Sequence, residues 1–273
     1  MLHAAPAIGT GTLARALAAL ALLPALASAQ QATCVRPPSL GLDHAIVVVR
    51  DLDSAQARLA PLGFRFKSGR LHADSLLNRH IKFRDGSELE LMTLAGRPTS
   101  DMARDYASLL SEGEGGVYAA LWTTQMDSVR TVAARLGATP RTTTIGPWEF
   151  VSLPAMRDAA AVFFGAGGTP ANDPDSVLNH PNGAVGLESA WVEAGPGLEQ
   201  LLRQLGGAPC ERVTVPDGRS GMRWLLARGS LVIVPLRAGQ RDPRLVGVEL
   251  RRERRSPEPM TAQPIPGFWV ELR

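Results

Sequence analysis

Two apolar runs carry the side chains most capable of chemistry. Leu42-Asp43-His44-Ala45-Ile46-Val47-Val48-Val49 sets a histidine in one of them, and Glu88-Leu89-Glu90-Leu91-Met92 sets two glutamates in the other. Imidazole nitrogen and carboxylate oxygen are natural ligands for Zn, Mn, Fe or Ni. The same glutamate, held beside a carbon acid, can take a proton from a carbon next to a carbonyl. Either chemistry requires His44 and Glu90 to face one cavity, so the elements that carry them decide the matter.

Strand alternation sends Leu89 and Leu91 to one face and Glu88, Glu90 and Met92 to the other. On the preceding strand, Ile81 and Phe83 oppose His80, Lys82 and Arg84 in the same way. A two-residue Asp85-Gly86 loop would set Ile81 opposite Glu90 and mix the faces. A three-residue Arg84-Asp85-Gly86 loop, with Gly86 in the left-handed position of a bulged hairpin, keeps both faces pure. It sets Ile81 opposite Leu89, Lys82 beside Glu88 and His80 beside Glu90. If His44 shares the polar face, two imidazoles and a carboxylate converge. Solvent-facing Lys82–Glu88 and His80–Glu90 pairs explain the same pattern, and a lone strand histidine is more often structural than a ligand.

The unit repeats. Asp53-Ser54 leads through an Ala- and Leu-rich segment to Leu62-Gly63, and Asp127-Ser128 leads to Leu136-Gly137 at the same spacing. Both segments read as helices with an Asp or Ser near the N-cap and a terminal glycine. Apolar strands precede them at Ala45 to Val49 and Val117 to Trp122. A weaker third copy runs from Val185 to Val234, with its strand at 187–192, its helix at 198–205 and two or three strands after it. Strand, helix, then a run of strands leaves one sheet face uncovered, so repetition predicts concave faces meeting at a shared cleft. A further helix is expected over 101–110. Gly165-Ala166-Gly167-Gly168 reads as a turn, and 165–182 as a domain boundary. Short strands at 245–250 and 268–272 are expected to close a sheet edge.

The 273 residues are 45% hydrophobic and 20% charged, ordinary for a globular chain. A net charge of +3 without a concentrated basic stripe argues against nucleic-acid binding. The 251–255 run of four arginines and a glutamate reads as a solvated surface segment. At the N-terminus, Arg15, the apolar 16–26 run and Ala27-Ser28-Ala29 read as a secretory signal with Gln30 starting the mature chain. That run is too short for an ordinary membrane-spanning helix, which needs roughly 20 apolar residues, and no longer one follows; an uncleaved N-terminal anchor is the alternative reading. Export to a periplasmic or extracellular, oxidising compartment favours a Cys34–Cys210 bridge over two unrelated thiols. No Gly-x-Ser-x-Gly elbow, phosphate loop or dinucleotide fingerprint occurs. Trp122, Trp191 and Trp224 fall on strands, as core or cleft lining.

These residues resemble the vicinal oxygen chelate superfamily, in its glyoxalase-like branch. The likeness rests on Leu42-Asp43-His44, on Asp51-Leu52-Asp53 and Leu62-Gly63-Phe64 bounding the helix, and on His72, Asn78 and Leu89-Glu90-Leu91. It extends to His180-Pro181-Asn182-Gly183-Ala184, and is best over 41–95, fair over 115–167 and weak beyond 185. The resemblance implies an α+β fold of repeated βαβββ modules forming cupped mixed sheets, as in glyoxalase and bleomycin-resistance proteins. It further implies one divalent ion (Zn, Mn, Fe or Ni) held by a histidine on the first strand and a glutamate on the last, with a second module giving the matching pair. His44 and Glu90 match the first pair, as metal ligands and catalytic groups. Tyr118 stands where the second histidine would be, and Ala161 to Phe164 has no carboxylate. The third module offers Leu187 or Ser189, and Val232. A four-ligand site therefore cannot be assembled from the matching positions, which leaves His72, His80 and His180 as other imidazoles. Leu76-Leu77 also departs from the Gly-Thr expected before Asn78.

The expected organisation is a signal peptide over 1–29, an arm over 30–40, paired modules over 41–180, and a third module with a C-terminal extension over 181–273. That third module would pair within the chain or across a homodimer. The expected function is binding or converting a small oxygenated molecule in the cleft, by metal-assisted lyase, isomerase or dioxygenase chemistry. Non-catalytic sequestration is the alternative. Glu90 and His44 would act on the ligand; His72, Asn78, His80 and Tyr118 would line its pocket.

Overall fold

A computed structural model of the chain describes residues 1, 34, 36–168, 172–237, 242–254 and 258–273. The expected signal segment lies outside the described residues, apart from Met1, as does most of the 30–35 stretch. The first module comprises β1 (Leu40–Val48), α1 (Leu52–Leu59), β2 (Lys67–Leu71), β3 (Leu76–Lys82) and β4 (Glu88–Leu94). Helix α2 (Asp101–Ser111) leads to β5 (Gly115–Thr123), α3 (Met126–Arg135), β6 (Arg141–Ile145), β7 (Trp148–Ser152) and β8 (Val162–Gly167). The short α4 (Asp175–Leu178) precedes β9 (Ala184–Glu193), α5 (Pro196–Gln204), β10 (Pro209–Thr214), β11 (Ser220–Leu225) and β12 (Ser230–Val234). Strands β13 (Leu245–Arg252), β14 (Met260–Ile265) and β15 (Phe268–Leu272) end the chain.

These strands form two mixed sheets, ordered β2-β3-β4-β1-β5-β8-β7-β6 and β10-β11-β12-β9-β13-β15-β14. Within each unit the first strand pairs parallel with the last: β1 with β4, β5 with β8, β9 with β12, and β13 with β15. Units join antiparallel through their first strands, β1 to β5 and β9 to β13. The third module therefore pairs within the chain. The C-terminal extension does more than close an edge: β13 to β15 form a fourth unit, with neither a helix nor a further edge strand among the described residues. Strand β13 runs through the middle of its sheet because Leu245 to Leu250 is buried throughout, the pattern of a strand covered on both faces.

One face of the first sheet is apolar. Ala45, Val47, Ile81, Phe83, Leu89 and Leu91 belong to a core that also takes in Leu52, Ala55 and Leu59 of α1, Val129 of α3, and Leu198 and Leu201 of α5. The second sheet adds Leu187, Leu231 and Val248 to the same core. Helix α1 starts where Asp51 accepts a 2.7 Å bond from the Ser54 amide, satisfying one orphan donor of the first turn. The predicted hairpin register is present: Ile81 pairs with Leu89, His80 with Glu90 and Lys82 with Glu88. Gly86 sits at φ 84°, a conformation that a side chain would strain.

The 165–168 stretch is not the expected turn, because β8 continues through Gly167. Glycine is needed at two of these positions: the Pro147 carbonyl lies where a Cβ on Gly167 would sit, and the Trp148 ring where one on Gly168 would sit. Cys34 and Cys210 are joined by a disulfide, their Cα atoms 4.8 Å apart. It ties the N-terminal arm to β10. No helix among the described residues is long and apolar enough to cross a membrane.

Candidate functional site

The other face of the first sheet curls around a cleft of about 1200 Å³, whose lining includes His44, Asn78, Glu90, Tyr106, Phe163 and Arg228. Helix α2 covers one end, packing Ala103 and Tyr106 against Ile46, Val48, Leu76 and Met92. Alternation alone puts His44 on the cleft side, since Ala45 and Val47 point into the core. A register shift lies between Leu42 and His44. It leaves Asp43 as the unpaired residue of a bulge, free to lean toward its neighbour.

His44 and Glu90 converge. Both are 9% exposed, so little water screens them, and Nε2 of the imidazole lies 3.7 Å from Glu90 Oε2. That gap is too long for a hydrogen bond and leaves both groups available to a ligand. On the far side of the ring, Nδ1 donates to Asp43 Oδ2 at 2.7 Å. Burial alone would lower the His44 pKa. The hydrogen bond to Asp43 and the charges of Asp43, Glu90 and Glu88 outweigh it and raise the pKa to about 9. The ring is therefore an imidazolium at neutral pH. Burial likewise works against the charge of Asp43, and the bond to His44 and the charges of His44 and Arg228 overcome it, holding the carboxyl below its ordinary value.

Asn78 fixes the other oxygen of Glu90. Its amide nitrogen donates to Glu90 Oε1 at 2.7 Å and lies 3.2 Å from His72 Nε2, while its oxygen accepts from the Arg70 amide at 2.8 Å. The edge strand β2 can press this close because residue 69 is glycine: a Cβ there would fall about 2 Å from Asn78 oxygens. His80 lies across from Glu90 in the ladder, yet its ring turns to Glu88, with Nδ1 3.2 Å from Oε2. Glu88 is also paired with Lys82. Burial opposes its charge, but His80 and Lys82 hold the carboxyl well below the usual carboxylate range. Glu88 is thus a committed ion-pair partner, and Glu90 is the carboxylate with an oxygen to spare.

The pseudo-symmetry of the sheet shows what replaced the second ligand pair. Ala45 pairs with Ala119, His44 with Ala120 and Ile46 with Tyr118, so Tyr118 mirrors His44. Ile46 pairs with Glu90 on one side and Ala120 with Phe163 on the other, so Phe163 mirrors Glu90. The two rings belong to an edge-to-face series. Tyr106 meets Tyr118 at 5.6 Å between centroids, Tyr118 meets Phe163 at 5.9 Å, and Phe163 meets Phe150 at 5.8 Å and His44 at 5.7 Å. Such contacts are favourable beyond their burial. Burial pushes the Tyr118 hydroxyl up to about 12 and that of Tyr106 well above its ordinary value, so both remain neutral phenols. No group of three or more His, Cys, Asp or Glu that could hold a metal occurs among the described residues. The four-ligand centre implied by the resemblance does not fit these side chains.

The other expected residues divide. His72, Asn78, His80 and Tyr118 all line the cleft. His180 does not: its Nδ1 accepts from the Arg65 amide at 3.0 Å and its Nε2 donates to the Lys82 carbonyl at 2.8 Å. Burial lowers its pKa, and Phe64 and Phe83 flank the ring. It is a neutral structural histidine clipping β3 to the end of the α1 unit. Sequence reasoning missed the roles of Asp43, Tyr106, Phe163 and Arg228. Asp43 stood beside His44 in the motif; the bulge that turns it inward has no local signature.

Antiparallel pairing of βαβββ units around a cupped cleft, with a histidine on the first strand and a glutamate on the last, is the architecture of the vicinal oxygen chelate superfamily. The chain belongs to the glyoxalase-like domain family, whose model matches residues 42–205. Among solved structures it is similar to a hypothetical protein from Staphylococcus aureus, at 13% identity and TM-score 0.58, covering 86% of this chain and 99% of that one. It is also similar to a triple mutant of 4-hydroxymandelate synthase from Streptomyces coelicolor, at 11% identity and TM-score 0.59, covering 86% and 92%. A xylose isomerase-like TIM barrel/4-hydroxyphenylpyruvate dioxygenase fusion protein matches at 12% identity and TM-score 0.52, covering 80% of this chain and 37% of that one. At these identities the likeness concerns the fold. Comparison with curated proteins finds no match. Family and fold together make this a protein of the type that binds or converts small molecules.

Proposed function

We propose that this is an exported protein that takes a small oxygenated molecule into the cleft of its first sheet and moves a proton on it, as a lyase or isomerase does. The observation that carries the reading is Glu90: a buried carboxylate with one oxygen tied to Asn78 and the other facing an imidazolium 3.7 Å away. A carbonyl oxygen of the ligand would accept the Nε2 proton of His44 as a hydrogen bond. Oε2 of Glu90 would remove a proton from the adjacent carbon, and the enolate charge would develop beside the imidazolium. With an α-hydroxy carbonyl ligand, His44 would pass its Nε2 proton to the enolate oxygen and take up the proton of the neighbouring hydroxyl, which becomes the new carbonyl, while Glu90 returns the carbon proton to the former carbonyl carbon to give the isomer; departure of a β-substituent instead gives a lyase product. Export is supported by the composition of the first 29 residues and by the Cys34–Cys210 bond.

The test is deuterium uptake, followed by NMR, into hydroxyacetone, dihydroxyacetone and lactaldehyde in deuterium oxide. Wild type should accelerate exchange at the carbon next to the carbonyl, and Glu90→Gln should slow it by about 10²- to 10⁴-fold. Equal rates in the two proteins would overturn the reading. Sequestration without turnover is the second reading, favoured by the aromatic rings that occupy the mirror positions of His44 and Glu90. It predicts ligand binding with no exchange in either protein.

A further inference from the structure

The second sheet reaches into this site at one residue. Strands β11 and β12 are joined by the turn Leu226-Ala227-Arg228-Gly229, which lies along the start of β1. The Leu42 amide donates to the Arg228 carbonyl at 2.8 Å and the Ala227 amide to the Leu40 carbonyl at 2.7 Å. From that anchored backbone the Arg228 side chain enters the wall of the cleft. Its guanidinium meets three oxygens of the first module. Nε donates to the Leu42 carbonyl at 3.0 Å, Nη1 to the Asp85 carbonyl at 2.9 Å, and Nη2 to Asp43 Oδ1 at 3.3 Å. The opposite oxygen of the same carboxylate, Oδ2, holds His44 Nδ1.

We propose that Arg228 is a positioning residue, by which the third module orients His44 toward Glu90 through Asp43. The inference rests on the reading of His44 and Glu90 given above. Asp43 sits at a bulge, where the ladder does not fix it. Its carboxylate needs a second contact to keep a defined rotamer, and Arg228 supplies that contact. The fork also holds the carbonyl just before Asp43 and the loop between β3 and β4, so both sides of the site are set by one planar group. A lysine offers a point charge and cannot span all three acceptors. This gives the second sheet a role in the chemistry although it carries no His–Glu pair of its own.

The test is the hydrogen-bonded Nδ1 proton of His44, observed by NMR in full-length mature protein with labelled histidine and assigned by its loss in His44→Gln. Arg228→Met should abolish that resonance through faster exchange with solvent, and should slow Glu90-dependent deuterium uptake. Arg228→Lys should restore some of both. Arg36→Met serves as the control, because it removes a different contact between the arm and the second sheet, the bond to the Leu226 carbonyl, without touching Asp43. An unchanged His44 signal in Arg228→Met overturns the inference, and so does an equal loss in Arg36→Met, which would reduce Arg228 to general docking of the sheets. The NMR readout needs no substrate. If no compound exchanges deuterium while the His44 signal responds to Arg228, the proton-transfer reading fails and the positioning role stands.

Discussion

Replacing Asp43 by Asn should flatten the dependence of stability on pH across the mildly alkaline range. His44 has a pKa of about 9 in the folded protein against 6.5 for an ordinary histidine. Between those values the native state holds a proton that the unfolded chain has released. The resulting stabilisation is full below about pH 6.5 and is lost as pH rises through about 9. A shift of this size corresponds to about 3 kcal/mol at the plateau, and to a loss of about 2 kcal/mol between about pH 7 and about pH 9.5. The window must start near pH 7, because His180, with its lowered pKa, contributes stability that is lost as pH falls below its unfolded value. It must stop below pH 10, where Tyr118, pushed up to about 12, begins to contribute with the sign of His44. Asp43→Asn keeps the size of the side chain but removes its charge, leaving Glu90 and Glu88 to oppose burial. Urea unfolding at closely spaced pH values is the assay: wild type should lose about 2 kcal/mol across the window and the variant less than about 1. Parallel profiles would refute the argument that the Asp43 carboxylate keeps His44 charged.

Three further outcomes follow from the geometry. Tyr118→His with Phe163→Glu rebuilds the mirror pair, and the double variant should bind about one Zn²⁺ or Co²⁺ per chain by calorimetry where wild type binds more weakly. Asn78→Leu leaves the Glu90 oxygen and the Arg70 amide without partners; it should cost about 2–4 kcal/mol in urea unfolding, against under about 1 for the exposed Leu71→Ser. Cys34→Ser with Cys210→Ser opens a loop spanning 176 residues and should lower stability by about 2–5 kcal/mol, a drop that reducing agent reproduces in wild type but not in the variant.

The hairpin was legible because face purity is a severe filter. With Ile81, Phe83, Leu89 and Leu91 on one side, a one-residue slip would bury charges, so a single loop length survives. Convergence of His44 and Glu90 stayed conditional on His44 sharing the polar face, because alternation sorts the faces of each strand without setting one strand beside another; the repeat was visible in the Leu-Gly helix ends. The C-terminal unit was not legible: it has no helix among the described residues, and Leu245 to Leu250 reads as a generic apolar strand until β9 is found beside it. Gly165 and Gly168 read as a turn because glycine usually marks one, whereas here the Phe150 and Trp148 rings lie against them. The reach of Arg228 to Asp43 spans 185 residues of sequence, and no local pattern encodes it.

The two sheets share a topology, yet one is suited to take a ligand and the other is not, and the difference is electrostatic. On the second sheet, Arg223 bonds Ser189 at 2.7 Å and Glu249 at 3.1 Å, and Ser189 bonds Ser230 at 2.7 Å. Arg223 and Glu249 are nearly buried, with side chains 11% and 8% exposed. A ligand entering there would have to separate a pair of buried charges, which costs about 3–5 kcal/mol before any contact forms. On the first sheet the buried carboxylate facing the cleft is Glu90, whose partners are a neutral amide and an imidazolium beyond hydrogen-bond range. Nothing there need be broken for a ligand oxygen to enter between them. The second sheet, with the Arg223–Glu249 ion pair on it, still reaches the cleft of the first. Arg228, projecting from it onto Asp43, is a contact through which it serves the open site.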